Sequence, residues 1–526
     1  MRVLARRGMV ASPHYLASQA GLRILRQGGN AVDAAIAINS VLAVVTPYLC
    51  GIGGDLFAQI YLAGERKLLG LNGSGRAPQA ATPERVRALA GGTRVPARGP
   101  LAVTVPGCVE AWEQLSRRFG RLPLPEILDD AVHYAEHGIL VTRQFAGAIA
   151  ASAGFFHPST PARETFLPGG ALPHEGDILV QPRLAETLRA IAREGAGIFY
   201  RGPLAQEIAR SVQAAGGLLS ADDLARHSSD WVEPLSIPYR GVTVHELPPN
   251  SQGIIALLML QILNQLPAAP IQEGGAEYIH TLAEVARLAY ADREAYITDP
   301  GHMTAAIETL ISAGHAGTQA GRIGPNVSSL RPAASPGDTI YCCAADQDGN
   351  LVSLIESNFM GFGSGVMAGE TGIMLQNRGH WFSLEPAHIN VIAPGKRTMH
   401  TLMPGMAFRD DRPWLVFGSM GGSTQAQIHV ELLTRLIDQG LAVDEAIDAP
   451  RFDAVAGSSA GGSPLIQLED RFPPAVIAEL ERRGHAVELL PPLTGAMGHA
   501  HAIQILPNGG YVGAADPRSD SAALGY

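Results

Sequence analysis

Four cysteines in 526 residues leave no material for a disulfide framework. Cys50 and Cys108 stand far apart, and adjacent Cys342 and Cys343 would point to opposite faces of a strand, which argues against a shared metal. Charge is sparse too. Asp, Glu, Lys and Arg make up 17 % of the chain, and the net charge of −10 comes from no run of one sign, so it describes a solvated surface. No basic stripe interleaved with aromatics is present, which excludes the usual footprint of a nucleic-acid binder. Long apolar runs are missing as well: the longest, residues 31–45, is interrupted by Asp33 and Asn39 and is too short to span a bilayer. Behind a basic start, residues 8–19 include Pro13, His14 and Gln19 and form no apolar leader core. A cytoplasmic protein without a membrane partner is expected. There is no internal repeat, and only residues 314–337 read as a loose, small-residue segment.

What the chain does have is a large apolar fraction, 46 %, with 60 glycines and 37 prolines. That combination suits a loop-rich α/β protein with a large core better than a helical bundle. Ser12-Pro13 predicts a helix start, running to Arg26 and stopping at Gly28-Gly29. Asn30 then caps a second helix, with Asp33 in its first turn. That helix is apolar nearly all round and is predicted to be buried. Further helices are expected near residues 107–119, 125–137, 184–194, 203–215, 253–265 and 275–296. Strands are expected at 56–62 and around 236–247. After residue 339 the texture turns to strands (339–346, 350–356, 372–375, 404–409, 413–417, 501–505, 510–514), with helices at 423–439 and 473–484. The picture is a chain in two parts, helix-rich over 1–338 and strand-rich over 339–526.

The junction of those parts carries chemistry. Thr339 opens the run Thr339-Ile-Tyr-Cys-Cys-Ala-Ala-Asp-Gln-Asp-Gly-Asn350, directly after Asp338. A threonine hydroxyl in mid-chain is a poor nucleophile. Cutting the chain before it frees an α-amine with a reference pKa of about 7.7–8.0, which can take the proton from the hydroxyl of the same residue.

Around this residue the chain resembles the γ-glutamyltransferase (γ-glutamyl transpeptidase) family of N-terminal nucleophile hydrolases. The resemblance rests on Gly28-Gly-Asn-Ala-Val-Asp-Ala-Ala35, Gly51-Ile-Gly-Gly54, Val105-Pro-Gly107, Phe199-Tyr-Arg-Gly202 and Tyr239-Arg-Gly241. It continues through Pro248-Pro-Asn-Ser-Gln-Gly253, Gly363-Ser-Gly365, Gly418-Ser-Met-Gly-Gly422, Ala449-Pro-Arg-Phe452, Asp516-Pro-Arg-Ser519 and Gly525-Tyr526. It implies an α+β fold, a four-layer αββα sandwich, made as a precursor that cuts itself between Asp338 and Thr339. Residues 1–338 and 339–526 then stay together as one intertwined unit, and a dimer of such processed pairs is an open expectation. By the same resemblance Thr339 is the nucleophile. Ser357, eighteen residues on, is the second hydroxyl. Gly421 and Gly422 supply oxyanion-hole N–H groups, and Arg76 grips a substrate carboxylate. No cofactor and no metal is implied; the partner is a small-molecule amide.

The departures concern specificity. Trp381 falls where the family has an ammonium-binding aspartate, Arg378 where it has an amide, Phe359 where it has an asparagine, and His400-Thr401 where it has paired serines. Robust glutathione turnover would mean compensation elsewhere, with Glu356 and Asp55 as two candidates. Two substrates therefore follow from the resemblance. One is a γ-glutamyl amide such as glutathione. The other is an acid-bearing amide without an α-amine, as in relatives acting on oxamate or on cephalosporin side chains. A non-catalytic binding relative is the rival from another class. Among weaker patterns, Gly457-Ser-Ser-Ala-Gly461 mimics a nucleophile elbow around Ser459. His499 and His501 would share a strand face without a third ligand. Gly51-Ile-Gly-Gly54 lacks the spacing of a dinucleotide loop and more plausibly lets backbone approach backbone.

Overall fold

The computed structural model describes residues 2–158, 160–330, 337–455, 457 and 462–526. Ser459 lies outside the described residues, as do residues 331–336 of the segment expected to be loose. The fold is α+β, built on two seven-stranded sheets whose strands all pair antiparallel. One sheet runs Ala522–Gly525, Met9–Ser12, Asp338–Ala345, Leu351–Phe359, Asp55–Leu62, Lys67–Asn72, Asp230–Val232. The other runs Arg2–Ala5, Tyr511–Ala515, Ala500–Ile505, Arg412–Ser419, Gly405–Arg409, Val242–Glu246, Leu235–Tyr239. Each sheet takes strands from both sides of residue 338.

Side-chain alternation assigns the faces. From the first sheet Phe57, Tyr341, Cys343 and Ile355, and from the second Met406, Val416 and Ile503, meet in one apolar cluster between the sheets. The alternate residues Ile340, Cys342, Ala344, Val352 and Leu354 face the other way, into the cluster that holds the helix Ala31–Val45. On the far side of the second sheet, Val244, Leu415 and Phe417 pack with the helices Gly253–Asn264, Gly275–Tyr296 and Gln425–Ile437.

The helix Ala31–Val45 is buried at every residue, as its all-round apolar sequence requires. Asn30 accepts from the N–H groups of Val32 and Asp33, and Asp33 accepts from the Asn30 N–H, completing a capping box. The preceding helix starts later than Ser12-Pro13 predicts. Ser12 ends the strand Met9–Ser12, and the helix Tyr15–Arg26 is capped by His14. Sheet pairing of Met9–Ser12 on both edges outcompetes the local capping signal. Residues 372–375 form isolated bridges instead of a strand, one of them Gly53↔Leu375, where a Cβ on Gly53 would lie 2.1 Å from the Met374 carbonyl. Within the segment expected to be loose, Ala313–Ala320 is a helix capped by Ser312, and its His315 and Gln319 hold Asp292. No helix among the described residues is long and apolar enough to cross a membrane.

A buried ion cluster explains two of the short motifs. Arg518 donates to both Glu469 oxygens at 2.7 Å and to Asp516 at 3.1 Å, while Arg451 lies 2.6 Å from the other Asp516 oxygen. These two arginines hold the Asp516 carboxyl down at about 2 against the opposing effect of burial. Because that folded value lies below the unfolded one of about 3.9, the stabilisation is complete above the unfolded value and is lost as pH falls through the folded one. Asp516→Asn should lower stability by about 3–5 kcal/mol at neutral pH, with the gap to wild type closing in acid. Thermal midpoints across pH read this, and equal midpoints at neutral pH would count against it.

Candidate active site

Thr339 is the second residue of the strand Asp338–Ala345 and is 1 % exposed. Asp338 pairs with Phe359 and Ile340 with Glu356, so the facing strand carries one extra residue opposite Thr339. Such a bulge re-aims side chains beside it. Its consequence here is that the Ser357 hydroxyl donates to the Asp338 carbonyl at 2.5 Å and accepts from the Phe359 N–H at 2.7 Å. The Asp338 carbonyl is the acyl half of the Asp338–Thr339 peptide bond. Strand alternation places Thr339 and Ser357 on the face between the sheets, and Glu356 on the helix side.

Across from them, the strand Arg412–Ser419 ends in a turn with Gly421 at φ +152° and Gly422 at φ +53°. The turn leads into the helix Gln425–Ile437, whose first residue, Gln425, donates to the Thr339 hydroxyl at 3.5 Å. The turn is anchored by polar groups. Gln252 donates to the carbonyls of Gly422 and Thr401 at 3.0 Å each, Arg293 donates to Gln252 at 2.9 Å, and Tyr290 donates to the Ser423 carbonyl. Gln252 belongs to the motif Pro248-Pro-Asn-Ser-Gln-Gly253, so its signal was in the sequence; Gln425 and Arg293 carried none.

The uncut chain threads this site. A Cβ on Gly337 would lie 3.2 Å from the Gly422 Cα and 3.2 Å from the Phe359 ring, so the chain before Asp338 passes between the two. The Asp338 carboxyl faces Gly361 and the charge of Arg98, and desolvation raises it to about 6.

The residues expected to recognise substrate fall in two places. Arg76 is held by Asp299 at 3.5 Å and the Gly395 carbonyl at 3.1 Å, with Asp230 at 3.9 Å, and its side chain is 44 % exposed. Arg378, Phe359, Trp381, His400 and Thr401 gather instead beside the strand end. The Arg378 guanidinium stacks 4.2 Å from the Phe359 ring centroid and donates through Nη1 to Thr401 Oγ1 at 3.1 Å. Trp381 packs edge-on against Phe359 with centroids 5.6 Å apart. It also lines a surface cavity of about 520 Å³, together with Arg293, Glu294 and His388, that includes neither Thr339 nor Arg378. His400 accepts from the Leu402 N–H at Nδ1, so its Nε2 carries the proton, 3.0 Å from Asp55. Burial, with the charge of Arg378 adding to it, lowers His400 to about 4 and keeps it neutral.

The two acids named as compensation are engaged. Asp55 takes His400, the Gly75 N–H and Gln376. Glu356 takes the Gly51 N–H and Asn39, and burial raises its carboxyl well above the usual range. Gly54 lets backbone approach backbone, since a Cβ there would lie 2.4 Å from the Ser357 carbonyl. His499 and His501 lie with ring centroids 5.6 Å apart, and no metal-holding group of three His, Cys, Asp or Glu occurs among the described residues.

Comparison with known proteins places the chain in a family. Residues 17–526 match the family described as gamma-glutamyltranspeptidase. The chain is 39 % identical to the glutathione hydrolase-like YwrD proenzyme of Bacillus subtilis, over 99 % of each chain. It is 41 % identical to the oxamate amidohydrolase proenzyme of Klebsiella pneumoniae, over 99 % of this chain and 98 % of that one. A solved cephalosporin acylase from Bacillus halodurans superposes with a TM-score of 0.94 at 40 % identity, covering 100 % of this chain and 97 % of that one. The chain belongs to the γ-glutamyltranspeptidase family.

Proposed function

We propose that the chain is an autoprocessing amidohydrolase that cuts its own Asp338–Thr339 bond and then hydrolyses an acid-bearing amide whose acyl part has no α-ammonium. One observation carries the reading: the Ser357 hydroxyl is already donating to the Asp338 carbonyl at 2.5 Å, directly beside Thr339. The clusters on both faces of the two sheets support a four-layer αββα arrangement around that bond.

In the first reaction the Thr339 hydroxyl attacks the Asp338 carbonyl carbon, and Ser357 stabilises the developing alkoxide. The C–N bond breaks, the nitrogen takes the proton, and an ester joins Asp338 to the Thr339 side chain. Water hydrolyses that ester, leaving residues 1–338 and 339–526 as one intertwined pair. In turnover the freed α-amine of Thr339 takes the hydroxyl proton, and the oxygen attacks the substrate amide. The tetrahedral oxyanion meets the N–H groups of Gly421 and Gly422, whose backbone no side chain shields. The leaving amine departs with the proton, and water releases the acid from Thr339.

The acyl preference follows from charge. An acid beside the acyl site would favour a γ-glutamyl ammonium, and the two nearby candidates, Asp55 and Glu356, are already engaged by other partners.

Intact mass of the purified protein tests the first reaction. Wild type should give two chains, the smaller starting at Thr339, and Thr339→Ala a single uncut chain. Ser357→Ala should slow cleavage by about 10²–10³-fold, the effect of removing one oxyanion donor. An uncut wild type, or normal cleavage of Thr339→Ala, would sink the reading. For the mature enzyme, kcat/KM should rise with pH through about 7–8 as the Thr339 amine loses its proton. A profile flat from pH 6 to 9 would exclude the amine as base. Robust glutathione turnover beside weak turnover of ammonium-free acid amides would favour the γ-glutamyl substrate instead.

A further inference from the structure

A cation taken fully out of water without an anion is among the least favourable arrangements in a folded protein. Arg378 is such a cation. Its residue exposure is 0 %, Nη1 donates to the Thr401 hydroxyl, and the buried Nε and Nη2 have no hydrogen-bond partner among the described residues. Asp55, the buried acid whose charge acts on Arg378, spends its oxygens on His400, Gly75 and Gln376. The Phe359 ring gives the guanidinium a stacking face and no hydrogen bond. Burial accordingly lowers the Arg378 pKa to about 9.

We infer that the vacant edge of Arg378 is the receptor for the carboxylate of the acyl group, and that Arg76 is not. Nε and Nη2 form one side of the guanidinium fork, the geometry that takes a carboxylate with two parallel hydrogen bonds. Arg76 has the opposite character. It is half exposed and already faces Asp299 at 3.5 Å and Asp230 at 3.9 Å, acids that Arg397 also engages, so a carboxylate there would meet two negative charges. The position of Arg378 suits the chemistry, because three contacts join it to the reacting bond. Arg378 stacks on Phe359, the Phe359 N–H donates to the hydroxyl of Ser357, and Ser357 donates to the Asp338 carbonyl. The uncut chain lies over the same place, with Gly337 against the Phe359 ring. Self-cleavage frees that segment to leave, and the space it vacates borders both Thr339 and the ring that covers Arg378. The substrate class that fits is a monoamide of a short dicarboxylic acid, its free carboxylate on Arg378 and its amide carbonyl at Thr339.

This inference rests on the amidohydrolase reading above, so its test has one readout of catalysis and two that need none. In the mature enzyme, Arg378→Gln should raise KM for N-glutaryl-p-nitroanilide about 10–100-fold, the usual worth of a hydrogen-bonded charge, while leaving the neutral N-butyryl-p-nitroanilide nearly unchanged. Arg378→Lys should fall between, and Arg76→Gln should leave the preference for the acid intact. Equal losses on both anilides, or loss of the acid preference in Arg76→Gln alone, would overturn the assignment. Calorimetry of mature wild type against oxalate, malonate, succinate and glutarate should find at least one that binds, with binding lost in Arg378→Gln. Binding of none, or unchanged binding in the variant, would also overturn it. In the uncut Thr339→Ala background, Arg378→Gln should melt no lower than its parent, because it removes an unpaired buried charge. A clearly lower midpoint would mark Arg378 as a structural residue. Failure of the amidohydrolase reading would look different: wild type would remain a single chain by mass, whatever dicarboxylates it bound.

Discussion

The hydrogen bond from Ser357 to the Asp338 carbonyl depends on a register error of one residue, and much of the surrounding structure serves to hold that register. The strands Asp338–Ala345 and Leu351–Phe359 pair regularly from Ala345 and Leu351 up to Ile340 and Glu356, then slip. The regular end is fixed at the turn. Asp346 accepts from the N–H groups of Asp348 and Asn350 with one oxygen, and from Ala31 at the start of the buried helix with the other. The slipped end is fixed where Gly54 lies against the Ser357 carbonyl, an approach that any side chain would forbid. Phe359, at φ +79°, carries the strain of the slip in a backbone region costly for a bulky residue. The strain is sustained because its N–H is held by Ser357 and its ring by Arg378, Trp381 and Gly337.

The opposite wall of the site is held by polar groups instead. Gly421 and Gly422 need backbone angles that favour glycine, and a turn of this kind stays in place only if something other than propensity holds it. Gln252, Arg293 and Tyr290 hold it from one side. From the other, Gly498 lies so close that a Cβ would fall 2.2 Å from the Met420 carbonyl, and the Gly498 carbonyl is held by Arg451 at 2.9 Å. The ion cluster of Arg451, Asp516, Arg518 and Glu469 therefore reaches the Gly421-Gly422 turn through a single residue. Its charges do more than stabilise the fold; they position a backbone.

How far the sequence could be read depended on the range of the interaction concerned. The buried helix was legible because burial on all sides leaves an unbroken apolar record, and its cap because Asn30 and Asp33 are three residues apart. Thr339, Ser357 and the glycine pair were singled out through the family resemblance, and the fold brings Ser357 and Gly422 close to the Asp338–Thr339 junction. The start of the first helix was not, because whether Ser12 caps a helix or ends a strand is decided by Ala522 and Cys343, hundreds of residues away in the chain. The same applies to Arg76, whose two acids lie at positions 230 and 299. A motif shows that an arginine is present, and only the fold shows which acids, and which second arginine, Arg397, stand beside it. Trp381 and Arg378 could be seen as departures, but not that one would stand beside a cavity and the other would be sealed with two nitrogens unused.

The sealed guanidinium of Arg378 bears differently on the uncut chain and on the proposed mature form. An unpaired guanidinium in a dry site lowers the stability of whichever form contains it, and apolar replacements of similar size are often neutral or stabilising. In the uncut chain Gly337 lies against Gly422 and the same Phe359 ring that faces Arg378. On the proposed assignment the cost is carried before cleavage, and binding of an anion afterwards relieves it. Interactions unmade in the free enzyme and made with the ligand are the ones that turn into selectivity. On the proposed assignment, Arg378 against the Phe359 ring discriminates on two counts. It rewards a carboxylate through the fork of Arg378, and it penalises an ammonium, which would meet a like charge with nothing to neutralise it.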